Sequence, residues 1–563
     1  MARKQRKPHG KTPRGAVDSR PTEADGSAFD WCPLPTRRQG EGWPHRLTLA
    51  ALALAIGGIY LATLHPGVDN NDRAEMQWLV PQLGVAHPPG YPIMMVAGKL
   101  FLYLPLPGSI AYRMNLFQAL CGVGCCLLLY AMVRRITAQI LPGVVAAGVL
   151  AFSSLFWQSC LVAEVYAFYG LLLLAGVYAV VRFVQSNRAG WLYGAALLIG
   201  MSVWNRPSEL FVLPALLGLY LGVFRHVRLS PARLGVAVVL FAAPLAFSVA
   251  YFKLRYDPQA VYFRDDIVRD RFREKESDVG DPSKLGDVLR YVLGLKWKER
   301  AQFDAQRFRW DIDKYLWIVS GLGAFGDREI DDPTGIRQLE QGHGVSIGLP
   351  AILLALAGIG FYARRYGWVL LGLGLYGGNL AFYFYHHVTN NLDFIGPGIM
   401  GAALLAGLGV AAWGRPGAPA RGLLAYQLGC LIAPAFLVWG NYAHINRNTP
   451  AEHARQAYLQ RLVDVAPLLP ENTVILSERK SAMVYRYLYH IEAKRPDIRI
   501  INERAPYWRP IMEEYNRRGW PIYVRGRGGR TPETEGVEMP GDAAVERARP
   551  VRRMRPELEE LGF

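Results

Sequence analysis

The chain is dominated by long stretches of apolar residues whose centres carry no charged side chain. We place eleven of them at residues 47–64, 114–133, 141–158, 161–181, 190–204, 208–224, 234–252, 346–363, 367–385, 395–413 and 422–440. A helix needs about 20 such residues to cross a bilayer. The pattern therefore predicts a polytopic α-helical membrane protein with about 11 transmembrane helices.

The composition agrees with a membrane protein and excludes several other classes. Of the 563 residues, 51% are hydrophobic and 19% are charged, against about 25% charged in a soluble domain. The six cysteines lie mostly inside apolar stretches, without the paired spacing of a disulfide scaffold. The net charge of +17 comes from Lys and Arg gathered in the tails and between apolar stretches, which argues against nucleic acid as a partner.

The basic connections predict how the chain is threaded through the membrane. The connections at Arg134-Arg135, 182–188, 225–233, Arg364-Arg365 and 415–421 are all basic, as expected on the cytoplasmic side. The stretch 91–107 contains Lys99 and prolines, and counting it as a span would reverse this order, so we interpret it as a re-entrant or juxtamembrane helix. In a bacterium the chain would lie in the cytoplasmic membrane, with the outer side facing the periplasm or exterior.

This threading divides the chain into three parts. Residues 1–46 form a basic cytoplasmic tail, and residues 47–440 form the membrane domain with outer loops at 65–113 and 255–345. Residues 441–563 form a small extracytoplasmic α/β domain with a charged tail. In that domain Thr449-Pro450 opens a helix, residues 480–492 form a helix, and strands are predicted near 473–477, 498–501 and 521–524.

Acidic residues gather at the outer ends of the predicted spans and not in their centres. They are Asp69, Asp72, Glu75, Glu164, Glu209 and Asp393. Ion-coupled transporters usually carry ionisable groups at mid-membrane depth. The distribution therefore favours chemistry at the outer membrane surface over passage through the membrane.

The first outer loop holds the most informative acidic pair. Asp72 and Glu75 have the spacing of a capping box that opens an amphipathic helix lying on the membrane. A carboxylate at a helix N-terminus is also kept ionised by the helix dipole, so Asp72 could act as a general base toward a hydroxyl. The two interpretations are compatible. His87, beside Pro88 and Pro89, is either part of a structural turn or a member of the site.

Cations near the outer surface are candidates for binding an anion. Arg113 and Arg206 either snorkel to the headgroups or bind a lipid phosphate. Glu164 lies just inside the outer boundary and needs a partner, for which Arg206 or Arg113 is expected. His386, His387 and Asp393 could suggest a metal site, but their spacing matches no strong metal signature.

These residues resemble a known family. Asp72-Arg73-Ala74-Glu75 followed by His87-Pro88-Pro89-Gly90-Tyr91-Pro92 is similar to the Asp-x-x-Glu and His-Pro-Pro-Gly-x-Pro signature of a polytopic bacterial family that includes a eukaryotic endoplasmic-reticulum protein O-mannosyltransferase. That family belongs to the GT-C glycosyltransferases. The resemblance extends over residues 47–502, although Arg206 stands where a His is usual and Glu478-Arg479 replaces a usual Gly-Asp.

The resemblance implies transfer of a sugar, mannose or another hexose, from a polyprenyl-phosphate carrier to an acceptor hydroxyl by an inverting single displacement. The acceptor would be a protein Ser/Thr, a glycan or a lipid, and no metal or other cofactor is implied. Asp72 would be the general base, oriented by Glu75. Substrate contacts would come from Asp69, His87, Tyr91, Arg113, Glu164, Tyr166, Asn205, Arg206, His387 and Asp393. A transporter or flippase of a lipid-linked sugar and a non-catalytic membrane scaffold are the alternatives.

Overall fold

The computed structural model describes the chain from residue 42 to 524 with gaps. The described residues are 42–223, 229–256, 283–295, 308–309, 312, 315, 328–331, 337–340, 345–363, 366–385, 396–412, 420–477, 479–502 and 508–524. The predicted candidates His386, His387 and Asp393 lie outside them, as do most of the basic tail and most of the loop 255–345.

Helices make up most of this structure. The first ten are α1 Trp43–Thr63, α2 Asn71–Leu79, α3 Pro92–Leu102, α4 Ile110–Thr137, α5 Ile140–Phe152, α6 Ser154–Cys160, α7 Tyr166–Ser186, α8 Ala189–Val203, α9 Leu213–Val223 and α10 Pro231–Arg255. The others are α11 Leu285–Val292, α12 Leu349–Tyr362, α13 Tyr366–Tyr385, α14 Gly396–Ala411, α15 Ala420–Gly429, α16 Ile432–Ile445, α17 Pro450–Val465, α18 Arg479–Arg486 and α19 Trp508–Arg517.

Several of these helices can cross a bilayer. Among the described residues, six helical segments are long and apolar enough, or seven when the bent pair α5 and α6 is counted as one span. Shorter apolar helices of 10–17 residues lie at Pro92–Leu102, Ala189–Val203, Leu349–Tyr362 and Gly398–Ala411. Helix covers most of the described residues of every predicted span. The molecule is a mostly helical integral membrane protein, and the count of 11 spans stays a prediction.

The bend between α5 and α6 is braced by a buried amide. The two helices meet at an angle of 70°, where Ser153 is extended. The Asn441 side chain donates to the carbonyl oxygens of Phe152 at 2.7 Å and Val345 at 2.8 Å. The bond to Phe152 satisfies a carbonyl that the broken helix would otherwise leave unpaired in an apolar interior, and the Val345 carbonyl also accepts from the backbone N–H of Ser154 at 3.1 Å.

The buried helix α14 packs against α12 through two glycines. A Cβ atom on Gly358 would lie 2.1 Å from the carbonyl oxygen of Leu405, and one on Gly409 would lie 1.9 Å from that of Leu354. Only glycine permits this approach of the two backbones, as is common where membrane helices pack closely.

The C-terminal part contains a small parallel sheet. Strands β3 Val474–Ser477, β4 Arg499–Asn502 and β5 Ile522–Val524 pair in the order β4-β3-β5, with Ile475 opposite Ile500 and Tyr523. A separate hairpin pairs β1 Arg328–Asp331 with β2 Arg337–Glu340. The three strands lie close to the predicted positions, and α17 begins at Pro450 behind the Thr449 cap, as predicted. The domain boundaries stay predictions.

Contacts from this C-terminal part reach residues 65–113, the predicted first outer loop. The Arg486 guanidinium lies 5.1 Å from the ring of Trp78 on α2, and the His490 ring centroid lies 5.9 Å from that of Trp78. Gln456 on α17 donates to the carbonyl oxygen of Val68 at 2.8 Å. The loop that contains Asp69 and Asp72 is therefore enclosed between the helical bundle and the C-terminal part.

Candidate functional site

The site is built around the first turns of α2. Asn70 is the N-cap residue, Asn71 begins the helix, and Asp72 lies in its first turn. The predicted capping box is therefore wrong in detail, because Asn70 takes the cap position and the Glu75 carboxylate faces His87. The predicted surface helix is also wrong, since Ala74 to Leu79 are buried.

Glu75 and His87 form a close pair. The Glu75 side chain is 2% exposed; its Oε1 accepts from the backbone N–H of His87 at 2.8 Å, and its Oε2 lies 2.6 Å from His87 Nδ1. Prolines at positions 88, 89 and 92 remove backbone donors and prevent a continuous helix, so the chain turns back and brings His87 to Glu75. The structure brings His87 to the acidic pair, and both interpretations of His87 stay predictions.

Tyr91 joins this pair from the start of α3. Its hydroxyl lies 3.4 Å from His87 Nε2. Burial raises the pKa of Tyr91 well above its usual range, the charge of Asp72 raises it further, and Arg206 opposes them. The Tyr91 hydroxyl therefore keeps its proton. Because the Glu75 carboxylate can only accept, the close contact at His87 Nδ1 requires a hydrogen on that nitrogen.

Asp72 completes the cluster. Ligand atoms of Asp72, Glu75 and His87 all lie within 4.8 Å of one another. Their chemistry suits proton transfer from a hydroxyl, because a positioned carboxylate or imidazole can accept a proton within hydrogen-bond reach. The same three side chains are the group among the described residues that could hold a metal ion.

Arg73 is the partner of Glu164, a role that we predicted for Arg206 or Arg113. Arg73 donates from Nε to Glu164 at 3.2 Å and from Nη1 to Asp69 at 2.9 Å. Burial raises the pKa of Asp69, but the charges of Arg73 and His65 outweigh that effect and hold it below its usual value. Sequence reasoning did not select Arg73 as a partner of Glu164, because its reach across to Glu164 depends on the fold.

Arg206 is held rigidly between two side chains. Its Nη1 donates to Glu209 at 2.7 Å, and its guanidinium lies 4.3 Å from the centroid of the Tyr166 ring. Arg206 is 4% exposed, and its charge reaches Tyr91. The structure therefore brings Arg206 and Tyr166 to the same region as the acidic cluster.

Arg113 and Asn205 are used within the fold. Arg113 donates to the carbonyl oxygens of Leu102 and Leu104, which lie at the opposite end of α3 from Tyr91, about 16 Å along an eleven-residue helix. The structure thus separates Arg113 from the acidic cluster. The Asn205 amide accepts from Ile93 N–H at 3.3 Å and donates to the Met201 carbonyl at 3.1 Å, so it braces the start of α3.

Two buried amides that the sequence analysis did not select support the acidic loop. Gln77 accepts from the backbone N–H of Asp69 at 3.2 Å and donates to Asn115 at 2.9 Å. Asn115 in turn donates to the carbonyl oxygens of His65 and Gly67. A polar amide inside the apolar stretch 114–133 was the available signal, since such residues in membrane helices usually bind a neighbouring segment.

Comparisons with known proteins match the part of the chain that contains this site. Residues 72–229, less than a third of the chain, match the family described as the protein O-mannosyl-transferase TMEM260 N-terminal domain. Protein O-mannosyl-transferase TMEM260 of Mus musculus is 34% identical over 139 residues, which are 25% of this chain and 20% of that protein. The Dictyostelium discoideum protein of the same name is 30% identical over 138 residues, 23% of this chain and 17% of that protein.

These matches cover about a fifth of the length of the curated relatives. The predicted family resemblance is confirmed, and the match begins at Asp72 and includes Glu75, His87 and Tyr91. A crystal structure of the Archaeoglobus fulgidus oligosaccharyltransferase is also similar, with a TM-score of 0.47 and 12% identity over 81% of this chain and 62% of that one. A likeness of that strength carries no argument about chemistry.

Proposed function

We propose that this protein is a membrane glycosyltransferase of the GT-C type. It transfers mannose or another hexose from a polyprenyl-phosphate carrier to a protein Ser/Thr hydroxyl. The reaction is an inverting single displacement at the outer face of the membrane. In a bacterium that face is the periplasmic or exterior side of the cytoplasmic membrane.

The convergence of Asp72, Glu75 and His87 carries this proposal. The three side chains come from two segments separated by a turn, they meet within 4.8 Å, and they lie in the stretch that matches the TMEM260 N-terminal domain. The relatives that share this stretch are named protein O-mannosyl-transferases. A cluster held this specifically suits a reaction better than it suits a solvated surface.

Asp72 acts as the general base. Its carboxylate accepts the proton of the acceptor hydroxyl while the hydroxyl oxygen attacks the anomeric carbon of the donor. The bond from that carbon to the phosphate oxygen breaks on the opposite face, and the carrier leaves as a lipid phosphate with one additional negative charge. Glu75 accepts from the backbone N–H of His87 and contacts its Nδ1, and this fixes the helix turn that presents Asp72.

Arg206 stabilises the leaving phosphate. A guanidinium that is fixed by Glu209 and by the Tyr166 ring meets a developing charge without reorganisation, which is the basis of electrostatic catalysis. The separation of Arg113 from the acidic cluster leaves Arg206 as the cation that we assign to this role. Side chains suffice for this chemistry, and the proposal includes no metal.

The other parts of the outer surface serve the two substrates. Helix α3 is apolar and turns back from the site, so we assign it to the groove for the lipid tail. The outer loop 255–345 and the C-terminal part, which packs on α2, present the acceptor. Asp69, Glu164, Tyr91, Asn205, His387 and Asp393 are proposed to contact substrate or to hold the groups that do.

Covalent transfer by the purified protein tests this proposal. The full chain in detergent or nanodiscs is incubated with radiolabelled polyprenyl-phosphate mannose and a Ser/Thr-rich peptide, and the peptide is analysed for an alkali-labile mannose. We expect product from the lipid-linked donor and none from a nucleotide-linked mannose. Movement of the lipid-linked sugar across a vesicle membrane without any product would identify a flippase and would overturn the proposal.

A further inference from the structure

The segment that leads into His87 is held by side chains from the outer end of α10 and from α11. Arg255 donates to the carbonyl oxygen of Leu83 at 2.8 Å, and the Tyr251 hydroxyl donates to that of Gly84 at 3.0 Å. The Tyr291 hydroxyl donates to the carbonyl oxygen of Ala86. An irregular segment thus has its carbonyl groups bound one after another by neighbouring helices.

The bond from Tyr291 differs from the other two because it reaches the peptide group between Ala86 and His87. The carbonyl of that peptide accepts from Tyr291, and the N–H of the same peptide donates to Glu75 Oε1 at 2.8 Å. Since a peptide group is planar and rigid, fixing one end fixes the direction of the other. Tyr291 and Glu75 therefore hold opposite ends of a single peptide plane.

Packing around Tyr291 leaves its hydroxyl little freedom. The residue is 5% exposed, its ring centroid lies 4.8 Å from that of Phe252, and a Cβ atom on Gly90 would lie 3.4 Å from its Cε1. Val288 and Val292 share the buried face of α11 at helical spacing. A short amphipathic helix is thus anchored against the turn that contains His87.

We infer that Tyr291 is a positioning residue for the Glu75–His87 pair, so that the long outer loop contributes directly to the geometry of the site. Without the hydroxyl, the buried Ala86 carbonyl loses its partner, and the peptide can tilt to find another. The His87 N–H then leaves Glu75 Oε1, and both side chains lose the orientation on which Asp72 depends. This inference rests on the proposed function, and it adds a residue that the motif in the first loop does not contain.

The variant Tyr291→Phe tests the inference because it removes one oxygen atom and keeps the ring. We expect kcat to fall about 10-fold, as for other groups that orient reacting side chains, with the KM of donor and acceptor unchanged. Tyr251→Phe is the matched control, since it removes a hydroxyl that binds the same segment two residues earlier. We expect the control to keep the wild-type kcat. Equal losses in the two variants, or a loss carried by KM, would overturn the inference.

Hydrogen exchange separates failure of the inference from failure of the proposed function. A peptide spanning residues 82–91 should exchange faster in Tyr291→Phe than in the wild-type protein, and Asp72→Asn should leave its exchange unchanged. If the wild-type protein makes no product, the proposed function fails and the exchange measurement alone decides the role of Tyr291. Unchanged exchange in Tyr291→Phe would overturn the positioning role whatever the activity.

Discussion

The carboxylate of Glu75 holds His87 at two points, through the backbone N–H at 2.8 Å and through Nδ1 at 2.6 Å. Both oxygens are therefore engaged by one residue twelve positions further along the chain. This double contact joins the first turns of α2 to the proline-rich turn before α3. It gives the acidic motif a fixed shape that a pair of carboxylates on a helix would not have alone.

The substitution Glu75→Gln tests this contact. The introduced amide can keep an acceptor for the His87 N–H, but its nitrogen then faces the Nδ1–H and forces His87 into its other tautomer. We expect kcat to fall about 10- to 100-fold, with a smaller effect on donor KM. If Glu75 and His87 act as one unit, adding His87→Ala to the Glu75→Gln variant should lower kcat little further. Fully additive losses of kcat in the double variant would show that the two residues act independently.

The stability of the C-terminal part should depend on pH through His490. Burial lowers the pKa of His490 from its usual 6.5 to about 4, the hydrogen bond to Ile498 opposes this, and Arg486 adds to it. The unfolded chain therefore takes up a proton before the folded one does. Stability should be complete above pH 6.5 and decrease by up to about 3 kcal/mol as the pH falls toward 4.

Thermal unfolding of the purified protein between pH 4 and 8 measures this dependence. His490→Gln keeps a donor for the Ile498 carbonyl and should flatten the curve over that range. His453→Gln, at an exposed histidine on α17, is the control and should leave the curve unchanged. An equally steep curve in His490→Gln would assign the pH dependence to another group.

Transfer should survive removal of divalent metal ions. Although Asp72, Glu75 and His87 could together hold an ion, both Glu75 oxygens already accept from His87, and Arg206 is assigned to the leaving phosphate. We expect unchanged initial rates in excess EDTA after extensive dialysis. Loss of activity that Mn²⁺ or Mg²⁺ restores would place a metal in this cluster and would replace the role given to Arg206.

The proposed orientation can be measured by labelling single cysteines. Gln460 on α17 and Asn187 after α7 are both exposed, and the positive-inside rule puts them on opposite sides of the membrane. In a background with Cys32 replaced by Ser, a membrane-impermeant maleimide should label Gln460→Cys in intact cells and Asn187→Cys only after permeabilisation. The reverse pattern would place the acidic cluster on the cytoplasmic side.

Much of the fold follows from periodicity and composition. The apolar stretches coincide with helices, and the strands around Ile475 and Ile500 lie close to where branched residues and turns predict them. The break at Ser153 was not predicted, because the stretch 141–158 contains no charged residue and looks like one continuous span, and the brace comes from Asn441, nearly 300 residues later. Hydropathy records the environment of a segment and not its bends.

The sequence predicted the site residues that lie in the first-loop motif, but not most of the residues that hold them in place. Asp72, Glu75 and His87 were selected from one short segment, and the structure brings them together. The partners that fix them, such as Arg73 for Glu164 and Tyr291 for Ala86, depend on contacts between distant segments. The sequence favoured Arg206 and Arg113 equally as cations for the lipid phosphate. Only the structure distinguishes the two, because Arg113 contacts the end of α3 that lies away from Tyr91.

The most direct test of the central claim is the rate of a single turnover with Asp72→Asn. Asparagine keeps the size of the side chain but cannot accept the proton of the acceptor hydroxyl, so we expect the rate to fall at least about 100-fold while donor binding and melting temperature stay at wild-type values. Asp464→Asn, at an exposed position on α17, is the matched control and should transfer normally. A wild-type turnover rate in Asp72→Asn would contradict the role of Asp72 as general base.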